Sequence, residues 1–403
     1  MILRRSADYS GVEAIQNDAA ASRRRRDLFA LIVLACGGLA LLAVIATPYW
    51  KDVALGHTDY LSFYAGGRLA FTPDLYDPPH AMAEQLRAAG VMGKGTYYTR
   101  MPWFAAAMWP LARLPYFTGQ FIWEALLLAG LLAFVVLWPR PSFPVRAAIL
   151  CYSVPALMSL RMGQDPPLLL ALMAISLVLL YRGKPVIAGL VLSLTLAKFH
   201  LFLPLFPAVL FARRWRFASG LFGGTAMLLA ANFLVSGPTW PRTYLAAITD
   251  PVVTPGVIIT PSLFYAIPDT PQMRNLVVAV VGLVMMALYL RIAREKVELL
   301  IAAAPVAILP LLPHAGSYDC LLLTPLALYA LDRGSKPAKI AGVLLLIPVT
   351  YFAAWSFPSG AILIPILDIM LLALCAMPLK VREAAEARAL PDRVDGIARV
   401  TSH

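Results

Sequence analysis

The sequence predicts an all-α polytopic membrane protein with about 12 transmembrane helices, and three observations predict it. Of the 403 residues, 60% are hydrophobic and 14% charged, at a mean hydropathy of +0.73. A soluble domain carries about a quarter charged residues and needs them to cover its outside. Apolar runs recur along the whole chain; at roughly 20 residues per span the length holds about a dozen. The basic residues collect in short clusters between those runs. This last pattern turns the excess of 34 basic over 22 acidic residues into a statement about orientation, and it argues against nucleic acid as a partner.

Taken in order, residues 1–27 form a cytoplasmic tail made basic by Arg4, Arg5 and Arg23 to Arg26. The apolar run 28–50 lacks the short core and small-residue cleavage site of a signal peptide, so it is expected to be a retained anchor. A long outer loop follows over 51–117. It holds an amphipathic stretch at 60–71, a turn at 72–79, a short helix around 80–89 and an apolar segment at 101–114 that is too short to span and is expected to be re-entrant or interfacial. Further spans are expected near 118–138, 146–161, 166–181, 186–198, 200–212, 217–236, 275–292, 297–312, 319–331, 338–356 and 361–379. Counted from an inside N-terminus, the cytoplasmic loops then contain Arg140, Arg182, Lys184, Arg213, Arg214, Arg216, Arg291, Arg294, Lys296, Arg333, Lys336 and Lys339, as the positive-inside rule requires.

The integral-membrane unit thus runs over 28–379, followed by a cytoplasmic tail at 380–403 that is expected to be an interfacial helix fraying into disorder. The loop 237–274, rich in Pro and Thr, is a candidate lid. Several spans are short and interrupted by proline, which membrane helices tolerate where they line a cavity within protein. Cys36, Cys151, Cys320 and Cys375 lie inside apolar runs with neither metal-ligand nor disulfide spacing.

This topology isolates a small outer set of polar residues: Asp59, Arg68, Arg161, Gln164, Asp165, Lys198, His200, His314 and Asp319. Ionisable groups at a membrane are expensive and are functional candidates for that reason. Asp59 either caps the helix beginning at Tyr60 or acts as a general base for a hydroxyl; the two are compatible. Lys198 is either a snorkelling side chain or a cation for a departing phosphate. His314, Tyr318 and Asp319 share one turn, where Asp319 can orient an imidazole toward phosphate or sugar. A divalent metal on such groups is the minority option, and no cofactor is expected. Gln164 suits sugar hydroxyls and Arg161 suits phosphate. Trp50, Tyr60, Tyr64, Tyr97, Tyr98, Trp103 and Trp109 are expected to form mostly an interfacial belt, one or two of them stacking on a sugar.

Several of these segments together resemble glycosyltransferase family 87: TDYLSFYAGGRLA at 58–70, DLYD at 74–77, Gly163-Gln164 opening a span, AGL at 188–190 with Ala197-Lys198, and RRWR at 213–216. The resemblance spans roughly 50–331 and rests on the order and spacing of these weak motifs. It implies the GT-C architecture and an inverting transfer of a sugar, with mannose first in view, from a polyprenyl phosphate donor to a glycolipid or glycan hydroxyl at the outer face of the cytoplasmic membrane. It further implies Asp59 as catalytic base and Lys198 and His314 near the donor phosphate, with Arg68 and Arg161 as further phosphate candidates. Gln164, His200, Tyr318, Asp319 and Tyr64 are then candidates for substrate contact. Members of the wider class often carry an acidic pair or a metal, whereas Tyr60 stands beside Asp59 here, which favours a metal-independent reaction. The chain is expected to act as a monomer. A transporter would show inverted repeats and charges in the middle of spans, neither of which is evident; a polymerase or ligase of lipid-linked glycans would carry a larger outer loop.

Overall fold

The computed structural model describes residues 50–90, 97–250, 261–266, 270–313, 315–356 and 362–377, with Gly360 and parts of 28–47. Every described secondary element is a helix. Four helices are long and apolar enough to cross a membrane, Tyr116–Leu137, Pro185–Phe202, Trp215–Ser236 and Pro271–Glu295, and two bent pairs raise the number to six. The other expected spans from 146 onward are present as shorter pieces, and the expected span 28–50 lies in part outside the described residues. Segment 146–161 is two helices meeting at 63° and segment 338–356 two helices meeting at 66°. In segment 297–312 only Val297–Ala302 is α-helical. Proline explains much of this, since the residue before it is pushed out of the helical region and its ring cannot continue a hydrogen-bond ladder. Pro102, Pro166, Pro185 and Pro271 instead start helices, where a missing N–H costs nothing.

The bundle is tightened by close backbone approaches. Where Pro185–Ser193 crosses Trp215–Ser236, a methyl on Gly220 would lie 2.0 Å from the Val186 carbonyl oxygen and one on Gly189 2.3 Å from that of Phe217. Small residues are what let membrane helices meet backbone to backbone.

Two expectations for the first long loop change. The Tyr60–Leu69 helix is buried along all but Arg68, so it is an internal helix packed on Pro102–Ala112 and not an amphipathic surface one. Tyr60 and Tyr98, placed in the interfacial belt by sequence, are 0% and 2% exposed: Tyr60 stacks on Trp123 at 6.2 Å, and Tyr98 fills the notch left by Gly66. Trp109 does lie on the surface. The expected helix near 80–89 is Pro78–Ala89, and the loop 237–274 contains a helix, Trp240–Thr249. The tail 380–403 lies outside the described residues.

Mid-span charge is also present where none was expected. Glu124 lies within Tyr116–Leu137 with one carboxylate oxygen buried and unpartnered, and Asp368 lies within Leu363–Cys375, 0% exposed, with both oxygens unpartnered. A single acid barely lowers the hydropathy of a window some twenty residues long, which is why pattern reading passes over it.

Candidate active site

A turn brings the central residues together. The helix Val154–Met162 begins at Ser153, whose hydroxyl accepts a hydrogen bond from the Ala156 amide at 3.2 Å, and it stops at Gly163, φ +65°. That left-handed conformation is natural only to glycine. Pro166 then opens the next helix, leaving Gln164 and Asp165 on the linker. The turn is clamped from two sides: the Trp123 indole donates to the Gly163 carbonyl at 2.8 Å, and the Asp59 amide donates to the Met162 carbonyl at 2.8 Å.

Asp59 precedes the Tyr60–Leu69 helix, but its side chain makes no capping bond there. It accepts instead from Gln164 Nε2 at 2.6 Å. Gln164 Oε1 in turn accepts from Arg100 Nη2 at 3.1 Å, and the same nitrogen donates to Asp165 Oδ1 at 3.0 Å. Asp165 Oδ1 also lies 3.4 Å from Lys198 Nζ. Lys198 ends a 3-10 turn at a break in its helix and pairs with Asp319 Oδ1 at 2.5 Å while resting 4.5 Å over the Tyr318 ring. Asp319 closes the chain of contacts by accepting from the Gly316 amide at 2.9 Å. Five separate stretches of sequence thus converge on one polar cluster.

Three carboxylates, Asp59, Asp165 and Asp319, face two cations, Arg100 and Lys198. Asp165, Lys198 and Asp319 are 1 to 2% exposed, whereas Asp59 keeps partial access to solvent. Burial pushes the Asp59 carboxyl above the ordinary carboxylate range, against the opposing effects of the Gln164 hydrogen bond and the Lys198 and Arg100 charges. Burial acts the same way on Asp165, but Arg100 and Lys198 outweigh it and hold that carboxyl below its usual range. The cluster therefore sets Asp59, half-buried as a residue and with its carboxyl raised by burial, beside Asp165, whose carboxyl Arg100 and Lys198 hold low.

The other candidates make different contacts. Arg68 pairs with Glu84 at 3.5 Å on a side chain 44% exposed, and nine residues of helix, about 13 Å of rise, separate it from Asp59. Arg161 is half-buried, with Nη1 3.8 Å from the Met158 sulfur. His200 packs edge-on against Phe199. The Tyr64 hydroxyl donates to the Leu114 carbonyl at 3.0 Å. His314 lies outside the described residues. Among the described residues, no group of three or more His, Cys, Asp and Glu side chains is placed to hold a metal ion. Arg100 is the site residue that sequence reading missed: it sits in the polar stretch before Pro102, where one more charge draws no notice.

Residues 98–325, more than half of the chain, match the family model of glycosyltransferase family 87. The chain belongs to this family. Comparison with curated proteins and with solved structures returned no match. Family 87 membership and the apolar helices make the protein a membrane glycosyltransferase. The matched region of this glycosyltransferase takes in Arg100, Gln164, Asp165, Lys198 and Asp319, and it begins after Asp59.

Proposed function

We propose that this glycosyltransferase moves a sugar, mannose in the first instance, from a polyprenyl phosphate donor to a hydroxyl of a glycolipid or glycan at the outer face of the cytoplasmic membrane, with Asp59 as general base. The observation that carries the reading is the Asp59 carboxyl: on a half-buried residue, raised by burial, and hydrogen-bonded through Gln164 to a buried charged cluster. In this reaction the acceptor oxygen attacks the anomeric carbon, its proton passes to Asp59, and the bond from that carbon to the phosphate oxygen breaks with the electron pair leaving on polyprenyl phosphate. Attack opposite the leaving group inverts the anomeric configuration. A proton acceptor of this kind contributes typically 10²- to 10⁴-fold. The leaving phosphate needs cations in a poorly solvated place, and Lys198 and Arg100 act on the same carboxyl that takes the proton; Arg161 and His314 are further candidates. The outer location rests on the basic loops, which orient the chain with Asp59 outside.

Membranes carrying Asp59→Asn, assayed with radiolabelled polyprenyl phosphate mannose, are expected to lose transfer at least 10²-fold with the protein folded. Undiminished transfer removes Asp59 as base. A cysteine introduced at position 59 is expected to react with an impermeant reagent from outside intact cells, and labelling from the cytoplasmic side alone reverses the orientation.

A further inference from the structure

We infer that Arg100 is a positioning residue for Asp59, acting through the side-chain amide of Gln164. The inference rests on the reading of Asp59 as base. A glutamine amide has a donor end and an acceptor end of nearly equal shape, so something must decide which end it presents. A guanidinium offers only donors. With Arg100 Nη2 at 3.1 Å the Gln164 group facing it is Oε1, and that turns Nε2 toward Asp59 Oδ2 at 2.6 Å. The opposite rotation sets an amide NH2 against the guanidinium and an amide oxygen against the carboxylate, two repulsive contacts in a buried place.

Arg100 can impose this choice because it is itself fixed. It is 9% exposed, its Nη2 also holds Asp165 Oδ1 at 3.0 Å, and its guanidinium lies 5.5 Å from the centre of the Phe63 ring. Gln164 and Asp165 are neighbours in sequence, so one nitrogen grips both. The donated N–H then favours the ionised form of Asp59 against the burial that opposes it and fixes the direction in which the second carboxylate oxygen faces. A lysine at position 100 keeps the charge but not the planar fork. The charged and titratable groups acting on Asp59 are Lys198, Arg100 and Tyr318, and none of them loses its charge or its hydroxyl in that substitution.

The test reads the protonation of Asp59 directly and needs no sugar donor. Purified full-length protein is treated with a carbodiimide across a pH series, and modification of the Asp59 peptide, which requires the protonated carboxyl, is followed by mass spectrometry. Gln164→Ala is expected to move the labelling midpoint up by about one to two pH units. Arg100→Lys is expected to move it in the same direction, and the double variant no further than Gln164→Ala alone. Phe63→Leu, which loosens the guanidinium without touching a polar group, supplies a smaller shift of the same sign should Arg100→Lys fold poorly. A midpoint unmoved by both Arg100→Lys and Phe63→Leu overturns the inference, as does a double variant whose shift is the sum of the single ones. Transfer by Asp59→Asn sinks the base reading whatever the labelling shows, so the two failures are told apart.

Discussion

Replacing Lys198 with methionine keeps the length and apolar stem of the side chain and removes the cation that two buried carboxylates share. Asp319 Oδ1 loses its partner, and Asp165 keeps Arg100 alone. All three side chains are 2% exposed, so water does not replace the lost contact. Breaking a buried pair from one side costs about 3–5 kcal/mol, against a total stability on the order of 5–15 kcal/mol. At about 1.4 kcal/mol per factor of ten, the folded-to-unfolded ratio falls by roughly 10²- to 10⁴-fold. In detergent, heating aliquots and measuring the monodisperse fraction by fluorescence-detected size exclusion should show a midpoint lower by roughly 4–6 °C. Adding Asp319→Asn should restore part of the loss, because position 319 then carries no unpaired buried charge while Asp165 keeps Arg100. A Lys198→Met midpoint equal to that of the unaltered protein, or a double variant no better than the single one, would refute the idea that Lys198 is held by these carboxylates.

Asp368→Leu removes a carboxylate that is 0% exposed and has no partner on either oxygen; it should stabilise the protein by about 1–3 kcal/mol, read as a higher heating midpoint, and a lower one would mean that the acid has a partner in the folded protein. Gly163→Ala forces a side chain into φ +65°, with its Cβ 3.2 Å from that of Tyr60; it should cost about 1–2 kcal/mol and shift Asp59 labelling as the turn relaxes. At the start of the Pro78–Ala89 helix, the hydrogen bond to Asp77 and the charges of Asp74 and Asp77 raise the His80 pKa, and His80 lowers that of Asp77. The stability that His80 contributes is full below its ordinary value near 6.5 and is lost as pH rises through the raised value; that of Asp77 is full above about 3.9 and is lost as pH falls through the lowered one. Hydrogen-exchange protection factors in the first turn should therefore fall as pH rises through the raised His80 value in the unaltered protein and lose that dependence in His80→Ala.

The class of the protein was legible because hydropathy reports where a backbone can sit, and a lipid environment demands helices. Continuity was not legible, since proline breaks turn stretches such as 297–312 into short helices and turns. The Tyr60–Leu69 helix misled for a physical reason: its pattern was read as facing water on one side, and it is enclosed by protein. Within the site, Asp59, Gln164, Lys198 and Asp319 stood out as polar groups bordering apolar runs, yet their pairings join positions 105 and 121 residues apart, and no local pattern encodes such distances. The side chain of Asp59 shows the limit most clearly: sequence suggested a helix cap or a base, and only tertiary contact with Gln164 turned it away from its own helix.

The separation of Lys198 from Asp319 has a consequence for biogenesis. The ammonium enters the membrane 121 residues before the carboxylate that neutralises it. At about 5–20 residues per second of synthesis, that interval lasts roughly 6–25 s. During that time the nascent chain carries a charge in its apolar half with only the earlier residue Asp165 to shield it, so insertion of the late segment around Ser317–Leu323 completes the membrane folding of the early one. Chains truncated before position 319 should accordingly be recognised as unassembled and degraded, although they already contain Gln164, Lys198 and Arg100, which act on Asp59.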